Sequence, residues 1–216
     1  MRWSQLNETH AHWDGVYQRK RPTEVSWYEP SPATSMAFIH ASKLRSSDPI
    51  IDVGGGASLL VDELLRQGYT DLTVLDISGT ALQTVRSRLG EHATGVQLVQ
   101  ADVLFFEPTR RYALRHDRAV FHFLVEAVDR KRFIAALRRG LREDGQMVIA
   151  TFGLQGPEKC SGLPVRRYDS ATLAAELGNE FALADSALVL HRTPSGVEQQ
   201  LLYCRFQRHR GRLVGR

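Results

Sequence analysis

The sequence predicts an α/β fold in which helices cover both faces of a mostly parallel sheet. Three observations support this fold class. Short apolar segments alternate with amphipathic helical segments from residue 49 onward. A glycine triplet, Gly54-Gly55-Gly56, directly follows the first of the apolar segments, and two strand-like segments close the chain. A chain of 216 residues is long enough to bury its own core without disulfides or metals.

Each element has its own local signal. Short, mostly apolar segments predict strands at residues 49–53, 72–76, 96–99, about 112–115, and 145–152. Apolar residues recurring every three or four positions predict helices at 59–65, 78–89, 130–141 and 170–177, with Ser78 as an N-cap and Gly68 and Gly90 at helix ends. Segments 182–191 and 198–206, joined by Thr-Pro-Ser-Gly, predict a terminal hairpin.

Composition excludes several classes of protein. Hydrophobic residues make up 43% and charged residues 24% of the chain, which is typical of a globular domain and not of a disordered one. No apolar run approaches the ~20 residues of a membrane-spanning helix, and the N-terminus resembles neither a signal nor a transit peptide. Two separated cysteines, Cys160 and Cys204, provide no disulfide framework, so we expect a reducing, cytoplasmic environment.

The chain carries a net charge of +4, and its arginines cluster at residues 110–118, 130–142 and 205–216. Such clusters attract nucleic acid or acidic protein surfaces. No aromatic residues are interleaved in the basic tail to stack on bases, so we favour solvated helix faces and a solvated tail over a nucleic-acid partner.

The glycine triplet and three acids form the most informative pattern. Glycines at a strand-to-helix turn allow close approach of a ligand to the backbone. Asp52 lies two residues before the triplet, Asp76 ends the next strand in the position of a ribose-binding carboxylate, and Asp102 follows the third strand. A nicotinamide-binding G-x-G-x-x-G sequence is absent, because Leu59 occupies the position of the last glycine. The pattern therefore favours S-adenosylmethionine as the ligand.

With these residues, the segment from about 49 to 206 resembles the class I S-adenosylmethionine-dependent methyltransferases. The resemblance implies a Rossmann-like sheet of seven strands whose last, antiparallel strand is inserted between the fifth and sixth. Further segments, at 12–17, 25–29, 116–124 and 156–165, resemble a small bacterial group related to the eukaryotic lysine methyltransferases of elongation factor and citrate synthase. Asp117-Arg118-Ala119 departs from the Asp-Lys-Gly stretch of those eukaryotic relatives.

The resemblance also implies roles for individual residues. An N-terminal helical lid is expected over residues 1–48, a methyltransferase domain over 49–207 and a basic tail over 208–216. Asp52 is expected at the methionine amino group, Asp76 at the ribose, and Asp102 and Val103 at the adenine. Four aromatic residues are expected either to pack on the sulfonium or to anchor a helix to the sheet, namely Trp13, Tyr17, Trp27 and Tyr28. The full set of expected cofactor-binding residues is Trp13, Tyr17, Trp27, Asp52, Gly54, Gly55, Gly56, Asp76, Ile77, Asp102 and Val103.

Acid–base candidates follow the fourth predicted strand. His116 and Asp117 are the predicted catalytic pair, since His116 titrates near neutral pH and an amine or hydroxyl acceptor must lose a proton. His122, between two phenylalanines, fits a core position better than a base. Cys160 is expected in the acceptor pocket without a nucleophilic role. No metal site is predicted, because His10-Ala11-His12 alone is a weak signal for one.

The predicted function is methyl transfer to an amine, with a protein lysine as first candidate and a small molecule as the alternative. A non-catalytic S-adenosylmethionine-binding protein, a nicotinamide-dependent reductase and a nucleic-acid methyltransferase are weaker alternatives. The protein is expected to be monomeric and to have no membrane partner.

Overall fold

The structure is a computed structural model that describes residues 3–209, with side chains from residue 8 onward. The basic tail predicted at 208–216 therefore lies mostly outside the described residues. The helices are α1 (Trp3–Arg19), α2 (Ala33–Ala41), α3 (Leu60–Arg66), α4 (Gly79–Leu89), α5 (Ala127–Gly140) and α6 (Ser170–Leu177). The strands are β1 (Ile50–Val53), β2 (Leu72–Asp76), β3 (Val96–Gln100), β4 (Tyr112–Arg118), β5 (Leu141–Phe152), β6 (Lys159–Cys160), β7 (Leu163–Pro164), β8 (Phe181–Arg192) and β9 (Glu198–Arg208).

Seven strands form one mixed sheet in the order β3-β2-β1-β4-β5-β9-β8. The pairs from β3 to β5 are parallel, whereas β9 is antiparallel to both β5 and β8. The last strand is thus inserted between the fifth and sixth strands of the sheet, which confirms the predicted fold class. Strands β6 and β7 form a separate two-residue ladder.

The chain order reverses direction beside β1, because β2 and β3 lie on one side of it and β4 on the other. Ligands of open α/β sheets bind at such a point, beyond the carboxyl ends of the strands. The glycine turn after β1 therefore lies where a ligand site is expected.

The buried side chains form a core on each face of the sheet. One cluster, containing Met36 and Ile39, joins α2, α3 and α4 to the sheet. The other, containing Phe133 and Leu177, joins α5 and α6 to it. Helix α2 thus packs into the same core as β1, although it lies within the segment predicted to be a lid.

Two predicted boundaries are corrected. Helix α5 begins at Ala127, earlier than predicted, and its last residue leads directly into β5 at Leu141. Strand β4 continues to Arg118, so His116 and Asp117 lie within the strand and not after it. The predicted N-cap is present, since the Ser78 hydroxyl accepts a hydrogen bond from the Ala81 N–H at the start of α4.

Candidate functional site

The turn after β1 depends on glycine at two positions. Gly54 and Gly56 have φ angles of +65° and +47°, a region that strains residues with a Cβ. A Cβ on Gly54 would lie 2.0 Å from Val120 Cγ2, and one on Gly56 would lie 2.3 Å from Tyr17 Oη. The bare backbone is therefore required for the N-terminal helix and the loop after β4 to approach the turn.

A cavity of about 320 Å³ lies at the carboxyl ends of β1 to β4. Most of the predicted cofactor-binding residues line it, namely Trp13, Tyr17, Trp27, Gly54, Asp76, Ile77, Asp102 and Val103. Asp52, Gly55 and Gly56 are absent from the lining. Asp52 lies against the turn, since a Cβ on Gly55 would be 2.6 Å from its Oδ2.

Two carboxylates in the cavity are poorly solvated. Asp76 Oδ1 accepts a hydrogen bond from the Ser78 N–H at 2.8 Å, and burial together with the Asp52 charge raises the pKa of Asp76 to about 7. Asp102 Oδ1 accepts a hydrogen bond from the Leu104 N–H at 2.8 Å, and burial followed by the charge of Asp129 raises its pKa. Hydrogen bonds from hydroxyl or amino groups of a ligand would stabilise both carboxylates.

Aromatic rings form one wall of the cavity. The Trp13 ring is 5.9 Å from that of Trp27 and 5.1 Å from that of Phe123, both in edge-to-face geometry. The Tyr17 ring lies 6.1 Å from that of Trp27, and burial raises the pKa of Tyr17. Such a wall attracts a desolvated cation through the ring quadrupoles. Tyr28 does not line this cavity.

Helix α1 is fixed over the cavity by an acid that was not predicted. Asp14 Oδ1 accepts hydrogen bonds from the Ser78 hydroxyl at 2.5 Å and from the Thr80 N–H at 3.2 Å, at the N-terminus of α4. A carboxylate is favourable there because it meets unpaired N–H groups and the positive end of the helix dipole.

The predicted catalytic pair does not line the cavity. His116 is 2% exposed, and its Nδ1 and Nε2 lie 2.7 Å from Asp52 Oδ1 and 3.0 Å from Ser35 Oγ. Asp117 is fully buried, and its Oδ1 accepts hydrogen bonds from the N–H groups of Val120 and Phe121. Both side chains therefore face the protein interior, because β4 extends through them before it ends.

His122 and Cys160 have environments that fit their predicted non-catalytic roles. His122 is fully buried between the rings of Phe123 and Phe152, and burial lowers its pKa to about 3. Cys160 lines the cavity, and burial raises the pKa of its thiol. Neither group provides a base or a thiolate at neutral pH.

Arg118 is the main site residue that the sequence reasoning did not assign. It lines the cavity at the end of β4. Its Nε donates to the Tyr203 hydroxyl at 3.0 Å, its Nη1 to the Trp27 carbonyl at 2.7 Å, and its Nη2 pairs with Glu29 Oε1 at 2.9 Å. An arginine at the end of an apolar strand was the only sequence signal for this cluster. Phe123 and Asp129 also line the cavity without having been predicted.

Many arginines of the predicted clusters are paired with acids. Examples are Arg110 with Asp71, Arg138 with Glu180 and Arg142 with Asp48. Across residues 3–209, no helix is long and apolar enough to cross a membrane, and no group of potential metal ligands is found.

Residues 50–145 match the family model described as "Methyltransferase domain". Two similar curated proteins are named EEF1A lysine methyltransferase 2. The Danio rerio protein is 25% identical over 159 residues, which cover 66% of this chain and 68% of that protein. The Mus musculus protein is 24% identical over 160 residues, which cover 66% of this chain and 65% of that protein.

The chain also resembles a solved structure described as the conversion of a disulfide bond into a thioacetal group during echinomycin biosynthesis. The TM-score is 0.74 at 19% identity, and the match covers 93% of this chain and 92% of that one. This chain carries, over residues 50–145, a methyltransferase domain of the class I S-adenosylmethionine-dependent type. The methyltransferase also resembles the Burkholderia thailandensis 1,6-didemethyltoxoflavin-N1-methyltransferase in fold, with a TM-score of 0.67 at 19% identity, covering 96% of this chain and 89% of that one.

The cofactor of this methyltransferase is S-adenosylmethionine, and the cavity has features that fit it. Gly54 of the glycine turn lines the cavity. A buried carboxylate with a raised pKa, Asp76, ends β2, and aromatic rings line the same cavity.

Proposed function

We propose that the cavity holds S-adenosylmethionine along the carboxyl ends of β1 to β3. Asp76 accepts the ribose hydroxyls, and Ile77, Asp102 and Val103 surround the adenine. Asp52 and the turn Gly54-Gly55-Gly56 face the methionine part, while Trp13, Tyr17 and Trp27 face the sulfonium. One observation carries this arrangement: the glycine turn, Asp76 and the aromatic wall meet in one cavity.

S-adenosylmethionine supplies a methyl group already activated by the sulfonium charge. The protein then contributes mainly alignment and exclusion of water. Helix α1 and the segment around Trp27 cover the cavity on one side, and the β6–β7 ladder contributes Cys160, Leu163 and Pro164 on another. We assign residues 1–48 the role of a lid on the methyltransferase domain 49–207, with α2 as its inner, core-packed element.

The acceptor binds, in this proposal, at the end of the cavity formed by Arg118, Phe123, Cys160, Leu163 and Pro164. No histidine lines the cavity within the described part of the chain. The proposal therefore assigns the acceptor proton to solvent and not to a histidine beside the methyl group. His116 and Asp117 act on the site through the residues that they position.

An amine is the first candidate acceptor, and a protein lysine is its first form. The support is the similarity to two proteins named EEF1A lysine methyltransferase 2. An amine needs only to lose its proton before attack, which suits a cavity without a histidine.

A small molecule is the second candidate. The acceptor end is largely apolar, and Arg118 lines it as a cation. A lysine ammonium that entered the same space would be repelled by this like charge. A structural neighbour over most of the chain is named as an N1-methyltransferase of 1,6-didemethyltoxoflavin, which is a small molecule.

The cofactor assignment is tested by calorimetric titration with S-adenosylhomocysteine and NAD. Micromolar binding of S-adenosylhomocysteine without binding of NAD supports the cofactor assignment. No binding of S-adenosylhomocysteine to folded protein contradicts this assignment. The acceptor is tested with S-adenosylmethionine labelled on the methyl group, added with the enzyme to a dialysed protein extract or to a small-molecule extract. Label on lysine side chains supports the first candidate, and label only in small molecules supports the second. The Asp76→Ala variant is the control for enzyme-dependent label.

A further inference from the structure

A chain of buried polar side chains begins at the acid before the glycine turn. Asp52 and His116 are directly paired in the β1–β4 register, and His116 Nδ1 lies 2.7 Å from Asp52 Oδ1. On the other side of the imidazole, Nε2 lies 3.0 Å from the hydroxyl of Ser35, which is in α2. All three residues are more than nine-tenths buried.

The same chain continues to the acceptor end of the cavity. The Ser35 side chain also interacts with the Tyr203 side chain on β9. The Tyr203 hydroxyl accepts the hydrogen bond from Arg118 Nε, and Arg118 also holds the Trp27 carbonyl and the Glu29 carboxylate. The series Arg118–Tyr203–Ser35–His116–Asp52 therefore connects a cation beside the N-terminal segment with an anion beside the glycine turn.

The chemistry of the partners fixes the bond direction at the two ends of the series. Arg118 has only donors, so the Tyr203 oxygen accepts from it. At the other end, His116 Nδ1 donates to the Asp52 carboxylate, and Nε2 bonds to the Ser35 hydroxyl. Hydrogen bonds in such a series polarise and strengthen one another.

We propose that this chain is a positioning device that holds the Asp52 carboxylate in place for the amino group of the cofactor's methionine part. Asp52 Oδ1 is engaged by His116, while Oδ2 is the oxygen that lies against Gly55 at the turn. Oδ2 is thus the oxygen assigned to the ammonium group. Ser35, His116 and Tyr203 are positioning residues, and the inference rests on the proposed placement of Asp52 beside the methionine part.

The test compares two ligands that differ in the methionine part. S-adenosylhomocysteine has the amino-acid moiety, whereas 5′-methylthioadenosine has the same nucleoside without it. The Ser35→Ala variant is expected to weaken S-adenosylhomocysteine binding about tenfold, the usual effect of disturbing a hydrogen bond to a charged group. Binding of 5′-methylthioadenosine is expected to stay within about twofold of wild type, because it makes no contact with Asp52.

Thr151→Val is the matched control. Thr151 is fully buried in β5, and its hydroxyl has no hydrogen-bond partner among the described residues, so this variant also removes one buried hydroxyl. Both ligands should bind to it as to wild type. Tyr203→Phe is the second test variant and should show the same selective loss as Ser35→Ala, with a smaller magnitude because it lies one link further from Asp52.

The possible outcomes separate this inference from the proposed function. If wild type binds neither ligand, the proposed function fails. A second outcome is that wild type binds both ligands and Asp52→Asn selectively loses S-adenosylhomocysteine, while Ser35→Ala and Tyr203→Phe keep it. In that case the positioning chain is wrong and the cofactor placement stands. Equal weakening of both ligands in Ser35→Ala shows a general structural effect and also overturns the chain.

Discussion

Val120 fills the space beside Gly54, and its Cγ2 lies where the Cβ of any other residue at position 54 would be placed, at 2.0 Å. The loop after β4 is thereby packed directly on the turn after β1. The Gly54→Ala variant is expected to lose about 3 kcal/mol of unfolding free energy, from left-handed backbone strain and overpacking together. Urea unfolding measures this loss.

The two contributions can be separated with variants of the same chain. Gly68→Ala is the matched control, because Gly68 also has a positive φ, of +85°, but no atom lies within 4 Å of the point that a Cβ would occupy there. The Gly68→Ala variant should lose only about 1 kcal/mol of unfolding free energy. Gly54→Ala combined with Val120→Ala should be more stable than the sum of the single losses implies. Additive losses would show that the contact with Val120 does not limit position 54.

Asp76 is expected to reduce the stability of the ligand-free protein. Its pKa is raised to about 7 in the folded state, so the folded protein keeps a proton that the unfolded chain loses near pH 4. The protonated Asp76 carboxyl therefore contributes to folding stability at low pH, and this contribution is lost as the pH rises from about 4 to about 7. Asp76→Asn should be more stable than wild type above pH 7, by up to about 4 kcal/mol. Thermal unfolding across this pH range measures the difference, which should vanish near pH 4.

The same carboxylate should make cofactor binding depend on pH. A ribose whose two hydroxyls donate to Asp76 favours the ionised form, so affinity for S-adenosylhomocysteine should increase as the pH rises through about 7. Calorimetry in buffers of different ionisation enthalpy should detect proton release below that pH. Asp76→Asn should bind about 10–100-fold more weakly and without this pH dependence. A pH-independent wild-type affinity would contradict the ribose assignment.

Ala119 has a φ of +66°, a conformation that favours glycine. It lies where the resembling eukaryotic enzymes have the glycine of Asp-Lys-Gly. Relief of the strain outweighs the greater entropy of an unfolded glycine, so Ala119→Gly should stabilise the protein by about 0.5–1 kcal/mol. Ala113→Gly within β4, the strand that precedes Ala119, should instead destabilise it, since the backbone at Ala113 is already extended. Denaturant midpoints of the two variants should therefore shift in opposite directions.

His122 is expected to contribute acid sensitivity and no catalysis. Its folded pKa is lowered to about 3 by burial and the nearby Arg118, so the unfolded chain binds a proton below about pH 6.5 that the folded protein does not. Stability is lost as the pH falls through this window. His122→Phe should be less sensitive to acid between about pH 6.5 and 3, and its pH–rate profile should match that of wild type. A lost ionisation in kcat would assign His122 a role as a base.

The part of the cavity beside β1 to β3 was predictable because it repeats one local pattern. In β1 and β2 an apolar strand ends in an acid and a turn, and parallel strands bring these ends together at one edge. This geometry explains why Asp76, Ile77, Asp102 and Val103 line one cavity, and their contacts with the cofactor stay a prediction. The aromatic residues Trp13 and Trp27 were placed by resemblance, and the structure brings both to the cavity.

The roles of residues on β4 were not predictable from the sequence. A strand boundary shifted by three residues changes whether His116 and Asp117 follow the sheet or lie inside it, and local propensity does not determine boundaries to that accuracy. The alternation of a strand then places Asp117 and His116 on opposite faces, where each meets different buried partners.

The sequence alone determined the alternation of strands and helices, the glycine turn and the acids at the strand ends, because these depend on neighbouring residues along the chain. Only the tertiary structure decided that Arg118 meets Glu29 and Tyr203, and that His116 lies between Asp52 and Ser35. These partners are separated by tens of residues, and their contacts follow from strand order, register and helix packing, which no local pattern encodes.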